Sequence, residues 1–172
     1  AIKMHFGEPG NLAFLRPNYA KVVADVVKSL GGVPFLTDCN TLYPGRRKNA
    51  LEHLDAAYEN GFSPLSTGCQ VIIGDGLRGN DDVEVPVEGA EYIQTAKIGK
   101  AIMEADVIIS LSHFKGHEQT GFGGAFVGRG GNDAPRIAEP LQQMHGSFYA
   151  DARSHLKGNI LDLSLIHISE PT

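Results

Sequence analysis

The stretch Val107 to Phe126, VIISLSHFKGHEQTGFGGAF, constrains the fold of this chain more than any other. Its first residues, Val107-Ile108-Ile109-Ser110-Leu111, have the composition of a strand covered on both faces, as strands of parallel sheets are. The apolar run gives way at once to His113, Lys115, His117 and Glu118, then to Gly121, Gly123 and Gly124. Open α/β sheets build ligand sites in this way, with a buried strand releasing polar groups into a turn at its carboxyl end. Other strands of the same kind are then expected to deliver polar residues to the same edge.

The preceding chain supplies them. Ala1 to Phe6 alternates apolar and polar side chains and reads as a strand ending in the turn cluster Gly7-Glu8-Pro9-Gly10-Asn11. Pro17 opens a helix in which Tyr19, Val22, Val23, Val26, Val27 and Leu30 recur at helical spacing, and Gly31-Gly32 ends it. Val33 to Thr37 is a second strand, followed by Asp38-Cys39-Asn40-Thr41. Strand, helix and strand in this order predict parallel pairing with a right-handed crossover. Arg46 to Asn60 reads as a second amphipathic helix closed by Gly61, with Arg46-Arg47-Lys48 as a solvated helix start. Gln70 to Gly74 reads as a third strand ending in Asp75-Gly76.

Val83 to Val87 and Tyr92 to Ala96 alternate with period two around Glu88-Gly89-Ala90-Glu91, and Pro86 assigns the first to an edge. Ile98 to Ala105 reads as a short helix. The expected fold is α/β, a mostly parallel sheet with helices on both faces and an inserted antiparallel hairpin. Beyond Phe126 the pattern decays, with only weak helical periodicity from Pro135 to Met144.

Composition narrows the function classes. A net charge of −5, without a long run of Lys or Arg, argues against a nucleic-acid surface. No apolar stretch approaches the ~20 residues of a membrane span, and no signal peptide is visible, so a cytoplasmic location is expected. Cys39 and Cys69 form no C-x-x-C pair and read as small residues near the core.

Collected at one edge, the strand ends present His5 and Glu8, Asp38 and Asn40, Asp75, and then His113, Lys115, His117 and Glu118. His113 and His117 are candidate metal ligands, with His5, Glu8 or Asp38 as a third. The alternative is that they donate to carbonyls or meet an anion. Gly121, Gly123 and Gly124 with Lys115 could cradle a phosphate or carboxylate, or could simply permit a tight turn. No G-x-S-x-G is present, so a hydrolase nucleophile elbow is not expected. The site reading is a small-molecule or anionic ligand held by His5, Glu8, Asp38, Asn40, Lys115, Gly121, Gly123 and Gly124, with a divalent metal on His113 and His117 as a further reading.

Four segments carry a family resemblance. They are His5-Phe6-Gly7-Glu8-Pro9-Gly10-Asn11, Thr37-Asp38-Cys39-Asn40-Thr41-Leu42-Tyr43, Ile73-Gly74-Asp75-Gly76-Leu77-Arg78-Gly79, and Ser112-His113-Phe114-Lys115-Gly116-His117-Glu118 with Thr120-Gly121-Phe122-Gly123-Gly124-Ala125. Together, over about Ala1 to Phe126, they resemble the domain of unknown function 362 family, often labelled iron–sulfur centre proteins. The resemblance implies an α/β domain usually followed by a ferredoxin-like segment. That segment carries two C-x-x-C-x-x-C-x-x-x-C-P runs holding 4Fe–4S clusters. It therefore implies a redox or electron-transfer protein with a redox partner. Neither cysteine run exists in this chain, and Phe126-Val127-Gly128-Arg129 stands where the family continues with a Lys-Asn pair and a Gly-Met-Gly segment.

The tail Leu163 to Thr172 resembles the in-frame translation of a sequencing adaptor. The expected organisation is an α/β domain over 1–126, a divergent or frameshifted segment of low order over 127–162, and an adaptor-like artefact over 163–172. On this reading the chain is a truncated domain of a ferredoxin-linked redox protein. The alternative is a non-catalytic binding or scaffold module.

Overall fold

A computed structural model describes residues 1–41, 45–86, 95–113, 116–117 and 121–122. Strands β1 (Ile2–Lys3), β2 (Phe35–Asp38), β3 (Gln70–Ile73) and β6 (Ile109–Ser110) form a parallel sheet in the order β3-β2-β1-β6. Ile2 stands level with Leu36 on one side and Ile109 on the other; Lys3 stands level with Thr37 and Ser110. The order runs outward from β1 through β2 to β3, then returns to the other side of β1 with β6. That reversal between β1 and β6 opens a crevice beyond the strand carboxyl ends, where doubly wound sheets bind ligands.

Both faces of the sheet are covered. Helices α1 (Pro17–Ser29) and α2 (Ala50–Glu59) contribute Ala20, Ala24 and Ala57 to a core with Ile2, Met4, Phe6, Leu36 and Leu111. The second face holds Cys39, Ile98 and Ile102, joined by Val85 and Ile108. Ile109 packs into the first core and Ile108, the residue just before β6, into the second, as successive side chains of an extended segment point to opposite faces. Strands β4 (Asp82–Pro86) and β5 (Thr95–Gly99) pair antiparallel as a separate ribbon, and α4 (Lys100–Met103) follows directly. Strands β7 (Gly116–His117) and β8 (Gly121–Phe122) pair with His117 opposite Gly121.

The α/β class, the parallel sheet and the hairpin agree with the sequence reading. Several boundaries differ. β5 runs on to Gly99, three residues past the end that the alternation Tyr92 to Ala96 predicts, and the next helix begins at Lys100 rather than Ile98. Tertiary packing decides this, because Ile98 is drawn into the core of Cys39 and Ile102 and so stays in the ladder. Helix α2 begins at Ala50 rather than Arg46, because the Asn49 side chain caps it by accepting from the Glu52 amide at 3.1 Å. Arg47 is consequently not part of a solvated helix start; it is among the largest fully buried side chains.

The run starting at Val107 is not covered throughout: Val107 is 66% exposed and precedes the edge strand β6. The short helix α3 (Pro64–Thr67) has no counterpart in the sequence reading, although Ser63 and Ser66 form a capping box around Pro64. The weak periodicity of 135–144 and the boundaries at 126 and 162 lie outside the described residues.

One glycine ties the ribbon to the sheet. A Cβ on Gly99 would stand 2.7 Å from the Gly74 carbonyl oxygen and 2.8 Å from its carbon, both backbone atoms. Ala101 also donates its amide to the Gly74 carbonyl at 3.1 Å, so neither segment can retreat without loss. Gly99→Ala is expected to destabilise the domain by about 1–3 kcal/mol. Urea unfolding is the measurement, and a variant matching the parent would contradict this packing.

Candidate functional site

Asp38 ends β2 with its carboxylate buried at the sheet edge. Lys3 Nζ lies 2.9 Å from Oδ1, with both side chains almost fully enclosed. The Cys39 amide donates to the same oxygen at 2.9 Å. Oδ2 faces His53 Nε2 at 3.6 Å and Arg47 Nη1 at 3.7 Å, contacts too long to be full hydrogen bonds. Burial alone would raise the Asp38 carboxyl, but the Lys3 ammonium and, beyond it, His53 and His5 hold it well below the ordinary range.

Glu8, in the loop after β1, secures the segment that carries Arg47. Its Oε1 accepts from the Arg46 amide at 2.8 Å, and its Oε2 pairs with Arg47 Nε at 2.6 Å. Burial opposes the charge on Glu8, yet these two contacts win and its carboxyl is lowered. Gly45 passes so close that a Cβ there would meet Glu8 Oε1 at 2.9 Å. Both oxygens of this predicted ligand residue therefore already hold protein groups.

Asn40 and Asp75 connect the ends of β2 and β3. The Asn40 amide donates to both Asp75 oxygens at 3.0 Å, and its Nδ2 donates to Oδ1 at 2.8 Å. Burial pushes the Asp75 carboxyl up to about 6, against the Asn40 hydrogen bonds and with a further rise from the Asp38 charge.

At the crevice stand the ends of β1 and β6. His5 is half-buried, and its Nδ1 accepts from the Gly7 amide at 2.9 Å, which leaves the proton of a neutral ring on Nε2. The Leu111 amide continues the ladder by donating to the Lys3 carbonyl at 2.8 Å. Extending the register two residues brings His5 level with Ser112, beside the half-buried His113. The hydroxyls of Ser110 and Ser112 lie 2.8 Å apart.

The fold thus gathers His5, Glu8, Asp38 and Asn40 around one buried polar cluster, with His113 at the neighbouring strand end. Gly121 sits opposite His117 in the β7–β8 ladder rather than in an open turn. Lys115, Glu118, Gly123 and Gly124 lie outside the described residues, and His117 is described by its strand placement alone. Among the described residues, no group of three or more His, Cys, Asp or Glu is placed to hold a metal ion.

Sequence reasoning missed Lys3, Arg47 and His53 as members of the cluster. The one available signal was a histidine on the Ala50–Leu54–Ala57 face of α2; Lys3, at a polar position of an alternating strand, and Arg47, in a basic run, gave none.

A family model described as Domain of unknown function (DUF362) matches residues 1–127. The chain belongs to this family. A thylakoid-associated protein of Synechocystis sp. is 27% identical over 111 residues, which cover 64% of this chain. The chain spans about 30% of the length of that curated relative. No solved structure matches the chain.

The iron–sulfur clusters implied by the family resemblance do not fit the residues present. A 4Fe–4S cluster takes four thiolates, whereas this DUF362 chain has two cysteines. Cys39 and Cys69 form no disulfide, are both buried, and belong to different cores. Among the described residues, no helix is long and apolar enough to cross a membrane.

The two buried carboxylates oppose each other in their pH dependence. Asp75 binds its proton more tightly folded than unfolded, so its contribution is full below the usual 3.8 and is lost as pH rises towards about 6. Asp38, held low, contributes above its usual 3.8 and loses that contribution as pH falls through its lowered value. The Asp75 contribution is of order 3 kcal/mol. Urea midpoints between about pH 4 and 7 should therefore fall with rising pH more steeply in the parent than in Asp75→Asn. Parallel curves would remove Asp75 as a titrating group in this range.

Proposed function

We propose that this chain is the ligand-binding α/β part of a redox-linked protein, holding a small anionic ligand at the carboxyl ends of β1 and β6. The observation that supports the reading is the strand-order reversal, which puts His5 and His113 on neighbouring strand ends beside the buried Lys3–Asp38 pair. Lys115, two residues after His113, adds a cation to the same segment of sequence.

Iron–sulfur clusters and electron transfer belong to this proposal only through other segments of a longer protein, because the two cysteines here cannot supply a cluster's ligands. A divalent metal on His113 and His117 is the less favoured form of the site, since two imidazoles need a further ligand. The thylakoid association of the Synechocystis relative extends the proposal to a location near a membrane surface, reached without a spanning helix in the described residues.

A second reading, a non-catalytic binding or scaffold module, draws on the engagement of Glu8 and Asp75 with the protein's own groups. Calorimetric titration with inorganic phosphate, acetate and zinc ion separates the two. Saturable anion binding that is lost in His113→Ala, with the unfolding midpoint preserved, is expected for the ligand site. Stoichiometric zinc that disappears in His113→Ala and His117→Ala would select the metal form. No binding of any of the three by the parent would leave the scaffold reading.

A further inference from the structure

The sheet carries a polar row where a parallel sheet is normally apolar. Thr37, Lys3 and Ser110 stand level on β2, β1 and β6, and in-register residues of neighbouring strands face the same side. All three are buried, with exposures of 0%, 5% and 6%. Their polar groups are incompletely used. Thr37 Oγ1 is enclosed and makes no hydrogen bond. Among the described residues, the Lys3 ammonium meets Asp38 alone, so two of its three N–H groups are uncommitted. One hydroxyl of the Ser110–Ser112 pair donates to the other, which leaves one donor to point elsewhere. Enclosed donors without acceptors are costly to maintain in a fold unless something else satisfies them.

We propose that Thr37, Lys3 and Ser110 form the oxyanion-recognising row of the site, receiving the carboxylate or phosphate of a small ligand at the β1–β6 reversal. The inference rests on the reading of that edge as an anion site and names the groups that would recognise the charge. Asp38 is placed to permit it. The carboxylate already faces Arg47 and His53 at 3.7 and 3.6 Å, and closing either contact would compensate Asp38 as Lys3 turns to the ligand. Lys3 is thus the binding cation, and Asp38 is the partner it gives up when the ligand enters.

The test uses the whole chain, titrated separately with inorganic phosphate and acetate. Lys3→Met should weaken binding about tenfold or more, and Thr37→Val and Ser110→Ala by severalfold each. Thr37→Val should also raise the melting temperature, because it removes an unsatisfied buried hydroxyl while costing affinity. Asp38→Asn, which keeps the ammonium and removes its competitor, should bind as tightly as the parent or more so.

If Lys3→Met does not fold, the opposed effects of Thr37→Val on melting and affinity still decide the matter. Parent-like affinity in Thr37→Val together with parent-like affinity in Ser110→Ala or Lys3→Met overturns the row and leaves the edge site standing. Absence of both phosphate and acetate binding in the parent overturns the two together. Tighter binding of phosphate than acetate assigns a phosphorylated ligand, and the reverse assigns a carboxylate.

Discussion

The buried charge of Asp38 is the constraint on which the described structure turns. A carboxylate removed from water must be met by cations and donors, and it recruits them from distant parts of the chain. Lys3 comes from the central strand, the Cys39 amide from its own turn, His53 from α2, and Arg47 from the loop before α2. Arg47 is held in turn by Glu8 from the loop after β1. The same charge therefore joins β1, β2 and the loops that frame the crevice. An ion pair as enclosed as Lys3–Asp38 is weak grounds for stability, since apolar residues of similar volume often serve as well. Its retention beside a strand-order reversal fits a place where polarity serves binding.

The carboxylates at this edge have separate tasks. Asp38 is kept charged by its cations, whereas Asp75 is pushed towards the neutral form by burial and by the neighbouring Asp38 charge. Glu8 closes the Arg46–Arg47 segment over the site. Among the described residues, Thr37 on β2, Lys3 on β1 and the Ser110–Ser112 pair on and after β6 have polar atoms left over. A site at the edge of a DUF362 domain would thus be lined by hydroxyls, imidazoles and an ammonium, behind which the carboxylates act as fixed supports.

Much of the architecture was legible in the residues. The β-α-β opening, the Pro17 helix start, the third strand at Gln70 and the antiparallel ribbon all follow from periodicity and turn residues acting locally. So did the delivery of His5, Asp38, Asn40 and His113 to one edge, because parallel strands end on the same side. Lys3 and Arg47 were not legible. Lys3 reads as the solvent side of an alternating strand, and Arg47 as part of a solvated basic run. Each is buried only because a carboxylate more than thirty positions away in sequence meets it. The continuation of β5 to Gly99 escaped for a related reason, since Ile98 is claimed by a core that includes Cys39 and Ile102.

By itself, then, the sequence determined the element types, the parallel character of the sheet and the edge at which polar residues collect, because these follow from short-range periodicity and chain direction. Tertiary structure alone decided the strand order β3-β2-β1-β6, and with it which strand ends become neighbours. It also decided which charged residues are enclosed. Pairing between strands far apart in sequence depends on how whole faces pack, and no local pattern encodes that. The row of Thr37, Lys3 and Ser110 exists only once β1 lies between β2 and β6.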